Sequence, residues 1–100
     1  MDIYNPITKY YVYTIMSLRD FTLYTGFTTD LKQRLFEHSK GIVTSTPIRI
    51  PFKLIHYEYF INVKDAQTRE AYLKSAIGKA QLKDSLKTTL RDRRSMPYRF

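Results

Sequence analysis

The chain contains no cysteine. That removes a disulfide framework, a thiolate zinc site and a cysteine nucleophile together, and it suits a reducing, cytoplasmic setting. No apolar run approaches the roughly 18 residues of a membrane span. The opening stretch, MDIYNPITKYY, lacks the basic, apolar and small-residue regions of a secretory signal. Internal repeats, linkers and the cysteine sets of zinc-finger or RING-like modules are missing as well. The expectation is a cytoplasmic protein with no membrane partner and no appended recognition module. Acidic residues are scarce: nine Asp and Glu stand against seventeen Lys and Arg, for a net charge of +8 and a pI near 9.8.

What remains is ordinary globular composition with a cationic bias. A hydrophobic content of 43% over 100 residues excludes a disordered chain and supports one domain, residues 1–100, with a modest core. Ten of the cations follow Val63. A basic balance of this kind suits a polyanionic partner, most often nucleic acid, with a solubilising surface as the plain alternative. Nine tyrosines can stack on bases or simply fill a small core.

Local patterns give an element order. Tyr10–Ile15 and Thr22–Phe27 are β-branched and aromatic runs and read as a hairpin. Asp30 opens a helix, with Gln33 completing a capping-box-like pair, and Gly41 ends it. Residues 42–52 read as a surface loop carrying Arg49. Lys53–Phe60 is a third strand, with Leu54, His56, Glu58 and Phe60 expected on one face. Asn62–Gly78 reads as one amphipathic helix. After Gly78 comes a last helix with Leu82, Leu86 and Leu90 on one side, and Lys79, Lys83, Lys87 and Arg91 in a row beside them. Residues 91–100 read as a frayed basic tail. The predicted fold is an α/β (α+β) layer: a small three-stranded, mainly antiparallel sheet flanked by helices, in the order β-β-α-β-α-α.

One residue breaks its own pattern. The apolar face of the Asn62–Gly78 helix is Ala66, Leu73 and Ile77, and its missing member is Glu70. A carboxylate on a core-facing stripe must be paired, protonated or bound to metal, because a free buried anion is very costly. On the first helix Arg34 and His38 share a face by their spacing of four, at the edge of the core. In the hairpin Tyr11 and Tyr13 share one sheet face, as do Tyr24 and Gly26. Glycine inside a good strand is costly unless a group must approach the backbone closely. Two phenols, a guanidinium, an imidazole and a carboxylate suffice for a phosphodiester. The carboxylate would hold a divalent metal, the Arg would neutralise phosphate, and a Tyr or His would position or deprotonate water. Each residue taken singly also has an ordinary structural explanation.

The order and spacing of these residues resemble the GIY-YIG nuclease superfamily. The two signature triplets correspond to Tyr11-Val12-Tyr13 and Tyr24-Thr25-Gly26, with residues 14–23 between the two tyrosines. Arg34 and His38 follow on the first helix. Glu70 lies in Thr68-Arg69-Glu70-Ala71-Tyr72-Leu73-Lys74, similar to the REKYLK-like stretch of the small stand-alone bacterial branch related to the excinuclease C nuclease domain. The segments Thr28–His38 and Arg49–Glu58 also look like that branch, and the likeness spans about residues 9–85. Three features depart from the superfamily pattern: Tyr11 stands where the first triplet has Gly, as is common in that branch, Phe27 stands where some members have Lys, and no Asn follows Asn62, Leu82 occupying the place of a supporting Asn.

The resemblance implies a metal-dependent endonuclease, a hydrolase of DNA phosphodiesters acting in repair or processing, selective for structure or weakly specific. It makes Glu70 the single protein ligand of Mg²⁺ or Mn²⁺ and Arg34 the phosphate-binding cation. Tyr13 and Tyr24 would hold the attacking water, His38 would assist proton transfer, and Gly26 would let the backbone pass close. Lys32, Lys40, Arg49, Lys79, Lys83, Lys87 and Arg91 would hold backbone phosphates. The partner is DNA, with RNA second, and either a monomer or a homodimer is compatible. The alternatives are a nucleic-acid binding module with the nuclease fold but little activity, and an interaction domain docking through Leu82, Leu86 and Leu90.

Overall fold

A computed structural model describes residues 8–42 and 50–95. Runs of Tyr, Val, Thr and Ile, which pack well on a pleated surface, form the strands β1 (Tyr10–Ser17), β2 (Leu23–Thr28) and β3 (Phe52–Phe60). Between β2 and β3 lies helix α1 (Leu31–Ser39), and after β3 come α2 (Val63–Lys74), α3 (Ala76–Ser85), α4 (Lys87–Arg91) and a 3₁₀ turn at Arg93–Ser95. The sheet order is β2-β1-β3, with both pairings antiparallel. The predicted three-stranded antiparallel α+β layer is therefore the observed one. Among the described residues no helix is long and apolar enough to cross a membrane.

Because β1 is central, both of its faces are covered, and Val12 through Leu18 are all buried. Val12 packs with Ala66 and Leu73 of α2 and Leu82 of α3. Tyr13 and Ile15 point the other way and pack with Phe52, Leu54 and, from α1, Leu31 and Leu35. Helices thus lie on both faces of the sheet.

Three local readings are corrected by tertiary structure. A β-bulge sets His56 opposite Thr14 but Leu54 opposite Ile15, leaving Ile55 as the extra residue. Leu54 consequently joins the α1-side cluster instead of sharing a face with His56 and Glu58. Second, the single helix expected over Asn62–Gly78 breaks at Ser75, which is extended (ψ 161°) and caps α3 by accepting from the Gly78 N–H at 3.1 Å. The break resets the helical phase. Ile77 is 68% exposed, and Gly78 and Leu82 take the inward positions. Third, the last helix breaks again at Leu86, which separates Lys87 and Arg91 from Lys79 and Lys83.

At the start of α1 the Asp30 carboxylate accepts from the Gln33 N–H at 3.0 Å, but the Gln33 side chain turns to Glu37, so half of the expected capping box forms. Gly41 takes the left-handed conformation (φ 72°) just beyond the helix, as expected. Residues 93–95, expected to fray, instead continue into the 3₁₀ turn. Leu82 is buried and Leu86 packs on the α2-side cluster, so the leucine row is spent largely on the chain's own core.

Candidate active site

Tyr13 leaves the central strand on the α1 side, directly opposite Gly26 of β2. Its ring lies over that glycine: a Cβ there would stand 2.5 Å from the phenol oxygen and 2.6 Å from Cζ. Glycine is required at this place because the phenol occupies the space any side chain would need. The last turn of α1 brings in His38, whose Nε2 and the Tyr13 hydroxyl form a 2.8 Å hydrogen bond inside the protein. His38 was expected at the edge of the core, yet it is fully buried, with its ring edge-on to Tyr24 at 5.2 Å and to Phe52 at 5.8 Å. Tyr24 stacks obliquely on Tyr13 at 6.4 Å and is only partly buried.

This packing sets the protonation states. Burial, aided by the positive field of Arg34, lowers His38 to about 4, with Glu37 opposing, so the imidazole is neutral at physiological pH. Burial also drives the Tyr13 phenol well above its usual value. Tyr24, Glu70 and Glu37 add to that rise and Arg34 opposes it. Those influences place Arg34, Glu37 and Glu70 in electrostatic reach of one phenol. Arg34 itself is part-exposed and pairs with Glu37 at 3.5 Å. Glu37 gave no signal in the sequence, since an acid three residues from an Arg on a helix reads as surface pairing.

Glu70 is not the core carboxylate that its helical position suggested. Its side chain keeps 23% exposure and pairs with Lys74 at 2.9 Å. Glu70 lies on α2 between the buried Ala66 and Leu73, and its part exposure lets the carboxylate reach Lys74 one turn on. Its neighbour Arg69 reaches back to the sheet and donates to Glu58 from Nε at 2.9 and 3.2 Å, while His56 shares a 2.9 Å bond with the same carboxylate. Burial raises Glu58, but these bonds outweigh it and hold the carboxyl below its ordinary value. The network clamps α2 to β3.

Among the described residues no group of three or more His, Cys, Asp or Glu is assembled that could cage a metal. A lone accessible carboxylate fits Mg²⁺, which retains waters and is commonly held by one or two carboxylates together with substrate phosphate oxygens.

Along the β2 edge runs a cleft of about 670 Å³, lined by Phe21, Tyr24, Leu73, Leu82 and Leu90 and rimmed by Lys74, Lys79, Lys83 and Arg93. Phe21 holds a left-handed backbone (φ 63°), and its ring lies against the guanidinium groups of Arg93 at 4.9 Å and Arg94 at 5.2 Å. Those cation–π contacts offset the backbone cost. Arg93 Nε is buried with no hydrogen-bond partner among the described residues. Of the basic residues singled out in the sequence, Lys79 and Lys83 line this cleft. Lys87 and Arg91 lie beyond the helix break, Arg91 pairing with Asp92 at 3.3 Å. Lys32 lies by a second concavity near Tyr11, and Lys40 rests over the Phe36 ring at 5.6 Å. Arg49 falls outside the described residues. Lys74, Arg93 and Phe21 were not legible as site residues, because they come from α2, the turn after α4 and the β1–β2 connection and meet only in the fold.

Residues 9–83 match the GIY-YIG catalytic domain. The chain belongs to the GIY-YIG family. A UPF0213 protein of Clostridium perfringens is 43% identical over 65 residues, covering 64% of this chain and 69% of the relative. A UPF0213 protein of Pediococcus acidilactici is 40% identical over 81 residues, covering 78% and 83%. The solution NMR structure of a UPF0213 protein from Bacillus halodurans shares 32% identity and a TM-score of 0.51, covering 87% of this chain and 94% of that one. The chain therefore sits in a small stand-alone branch of the GIY-YIG nuclease domain family, whose nucleases generally use a divalent metal.

Proposed function

We propose that this GIY-YIG protein is a metal-dependent endonuclease that hydrolyses DNA phosphodiesters, selective for structure or weakly specific in sequence, and serving repair or processing. The observation that carries the reading is the buried Tyr13–His38 hydrogen bond with Tyr24 partly open beside it, close enough to Arg34 and Glu70 for their charges to act on the Tyr13 phenol. Glu70 would hold Mg²⁺ or Mn²⁺, which when bound supplies Lewis-acid charge to the phosphate. Arg34, half in solvent, can turn from Glu37 to a phosphate oxygen and neutralise charge as the fifth bond to phosphorus forms. Tyr24 reaches solvent and is assigned the positioning of the attacking water, whose oxygen forms the new P–O bond as the bridging oxygen departs with a proton. Tyr13 keeps its proton, since burial opposes the phenolate, and neutral His38 holds that hydroxyl in place. Lys79, Lys83, Lys74 and Arg93 along the cleft would take flanking phosphates.

The test is cleavage of labelled duplex, single-stranded, flap and branched DNAs with Mg²⁺, Mn²⁺ or EDTA, beside Glu70→Gln and Arg34→Ala. Metal-dependent cutting that Glu70→Gln abolishes and Arg34→Ala cripples, with DNA affinity retained, is the expected result. Equal cutting by Glu70→Gln would refute the metal role. The second reading, a binding module with little activity, is favoured by the Glu70–Lys74 pair, in which a cation already occupies the carboxylate. DNA binding without cutting on any substrate would establish it.

A further inference from the structure

On the α1 side of the sheet three tyrosines form a continuous aromatic surface outside the candidate active site. Tyr59 stands opposite Tyr11 and Tyr57 opposite Tyr13 in the β1–β3 register. The Tyr11 ring lies 5.7 Å from Tyr59 and 6.1 Å from Tyr57, in tilted and edge-on geometry. Tyr57 is 53% and Tyr59 49% exposed, so two large rings on an otherwise well-packed sheet leave half their surface in water. The packing of α1 does not reach them: Leu31 and Leu35 cover Tyr13, Ile15 and Leu54 instead. A concavity of about 520 Å³ adjoins the rings, with Tyr11, Tyr57, Leu31 and Leu35 in its walls and Lys9 and Lys32 at its border. Asp30 also borders it, but its carboxylate is engaged in capping α1. Neither lysine has a carboxylate partner among the described residues.

We propose that Tyr11, Tyr57 and Tyr59 are a stacking platform for unpaired bases of a nucleic-acid strand, with Lys9 and Lys32 neutralising its phosphates. This rests on the nucleic-acid reading of the protein and adds a second contact region to it. Tyrosine offers a rigid π-face that any base can cover, and ammonium groups beside such faces are the usual complement of a sugar-phosphate backbone. A net charge of +8 supplies the long-range attraction. Tyr11 lies on the same face of β1 as Tyr13, about 7 Å along the strand, so the platform lies on the face that carries the Tyr13–His38 pair. Base pairs within a duplex keep their faces stacked on one another and cannot use it.

The test is fluorescence anisotropy at fixed salt, in EDTA so that no strand is cut, with the full chain and two labelled probes of equal length and charge. One is a thymidine 15-mer; the other carries abasic tetrahydrofuran residues at every position. The wild-type chain should prefer the thymidine probe. Tyr57→Thr/Tyr59→Thr, which keeps β-branched residues in the strand, should weaken that probe about tenfold or more and leave the abasic probe unchanged. Tyr57→Phe/Tyr59→Phe should retain the wild-type preference. Equal affinity for both probes, or equal loss on both in the Thr variant, would overturn the platform while leaving the nuclease reading intact. Absence of binding to either probe would also overturn the platform, and the cleavage assay on duplex, flap and branched DNAs would then decide the nuclease reading separately. A shift from dimer to monomer in sedimentation on Tyr57→Thr/Tyr59→Thr would also overturn the platform, since the rings would then join two copies of the chain.

Discussion

The phenol of Tyr13 and the imidazole of His38, 25 residues apart in the chain, share a 2.8 Å hydrogen bond in the interior. An aliphatic pair would pack there without the desolvation cost; the bond instead holds an oriented hydroxyl beside Tyr24 and over Gly26.

Removing only that hydroxyl separates stability from chemistry. Tyr13→Phe keeps the ring but removes the buried 2.8 Å bond to His38, so it should lose about 1–3 kcal/mol in urea unfolding. Tyr24→Phe, with its hydroxyl nearer solvent and no hydrogen bond among the described residues, should cost well under 1 kcal/mol. Both should cut DNA at least ~10²-fold more slowly. Wild-type turnover in Tyr24→Phe would remove Tyr24 from the water-positioning role.

The buried imidazole also makes stability depend on pH. His38 falls from 6.5 to about 4 on folding, so between those values the unfolded chain binds the extra proton. Its contribution is therefore fully present above pH 6.5 and is lost as pH falls toward 4, by on the order of 3 kcal/mol. Urea midpoints at pH 7.5 and pH 5 should separate more for the wild type than for His38→Gln. A parallel decline in the two proteins would show that His38 is not the titrating group.

Gly26 and Tyr13 should be coupled. Gly26→Ala drives a methyl into the phenol and should destabilise by about 1–3 kcal/mol, with loss of cutting. The same change in a Tyr13→Val background has space to enter and should cost much less. Additive costs in a double-mutant cycle would mean that the strand backbone, and not the ring, sets the demand for glycine.

Lys74 should report on the carboxylate it covers. As a part-exposed i, i+4 pair, Glu70–Lys74 adds little stability, and Lys74→Met should change unfolding by under about 0.5 kcal/mol. With the competing ammonium gone, Mn²⁺ should bind Glu70 more tightly, measured by calorimetry. DNA affinity should fall, because Lys74 also rims the cleft. Unchanged Mn²⁺ affinity would separate Glu70 from the metal.

Much of this was legible without coordinates because it depends on neighbours in the chain. The alternation in YYVYTI, the Asp30 cap, the left-handed Gly41 and the spacing from Tyr13 through Tyr24, Arg34 and His38 to Glu70 are set within a few residues or by their order. Local patterns mislead where a competing local group intervenes. Ser75 reads as one more polar helical residue until its hydroxyl caps the next helix, and that resets the helical phase and exposes Ile77.

The sequence by itself determined the strand and helix types, the hairpin, the family and the identity of the candidate catalytic groups, because periodicity and spacing are properties of one dimension. Only the tertiary structure decided that His38 is buried and neutral, that Tyr13 fills the space above Gly26, and that a bulge moves Leu54 across the sheet. It alone brought Phe21 to Arg93 and left Tyr57 and Tyr59 uncovered. Burial, desolvation and close approach depend on which distant segments share a volume, and no pattern of near neighbours encodes that sharing.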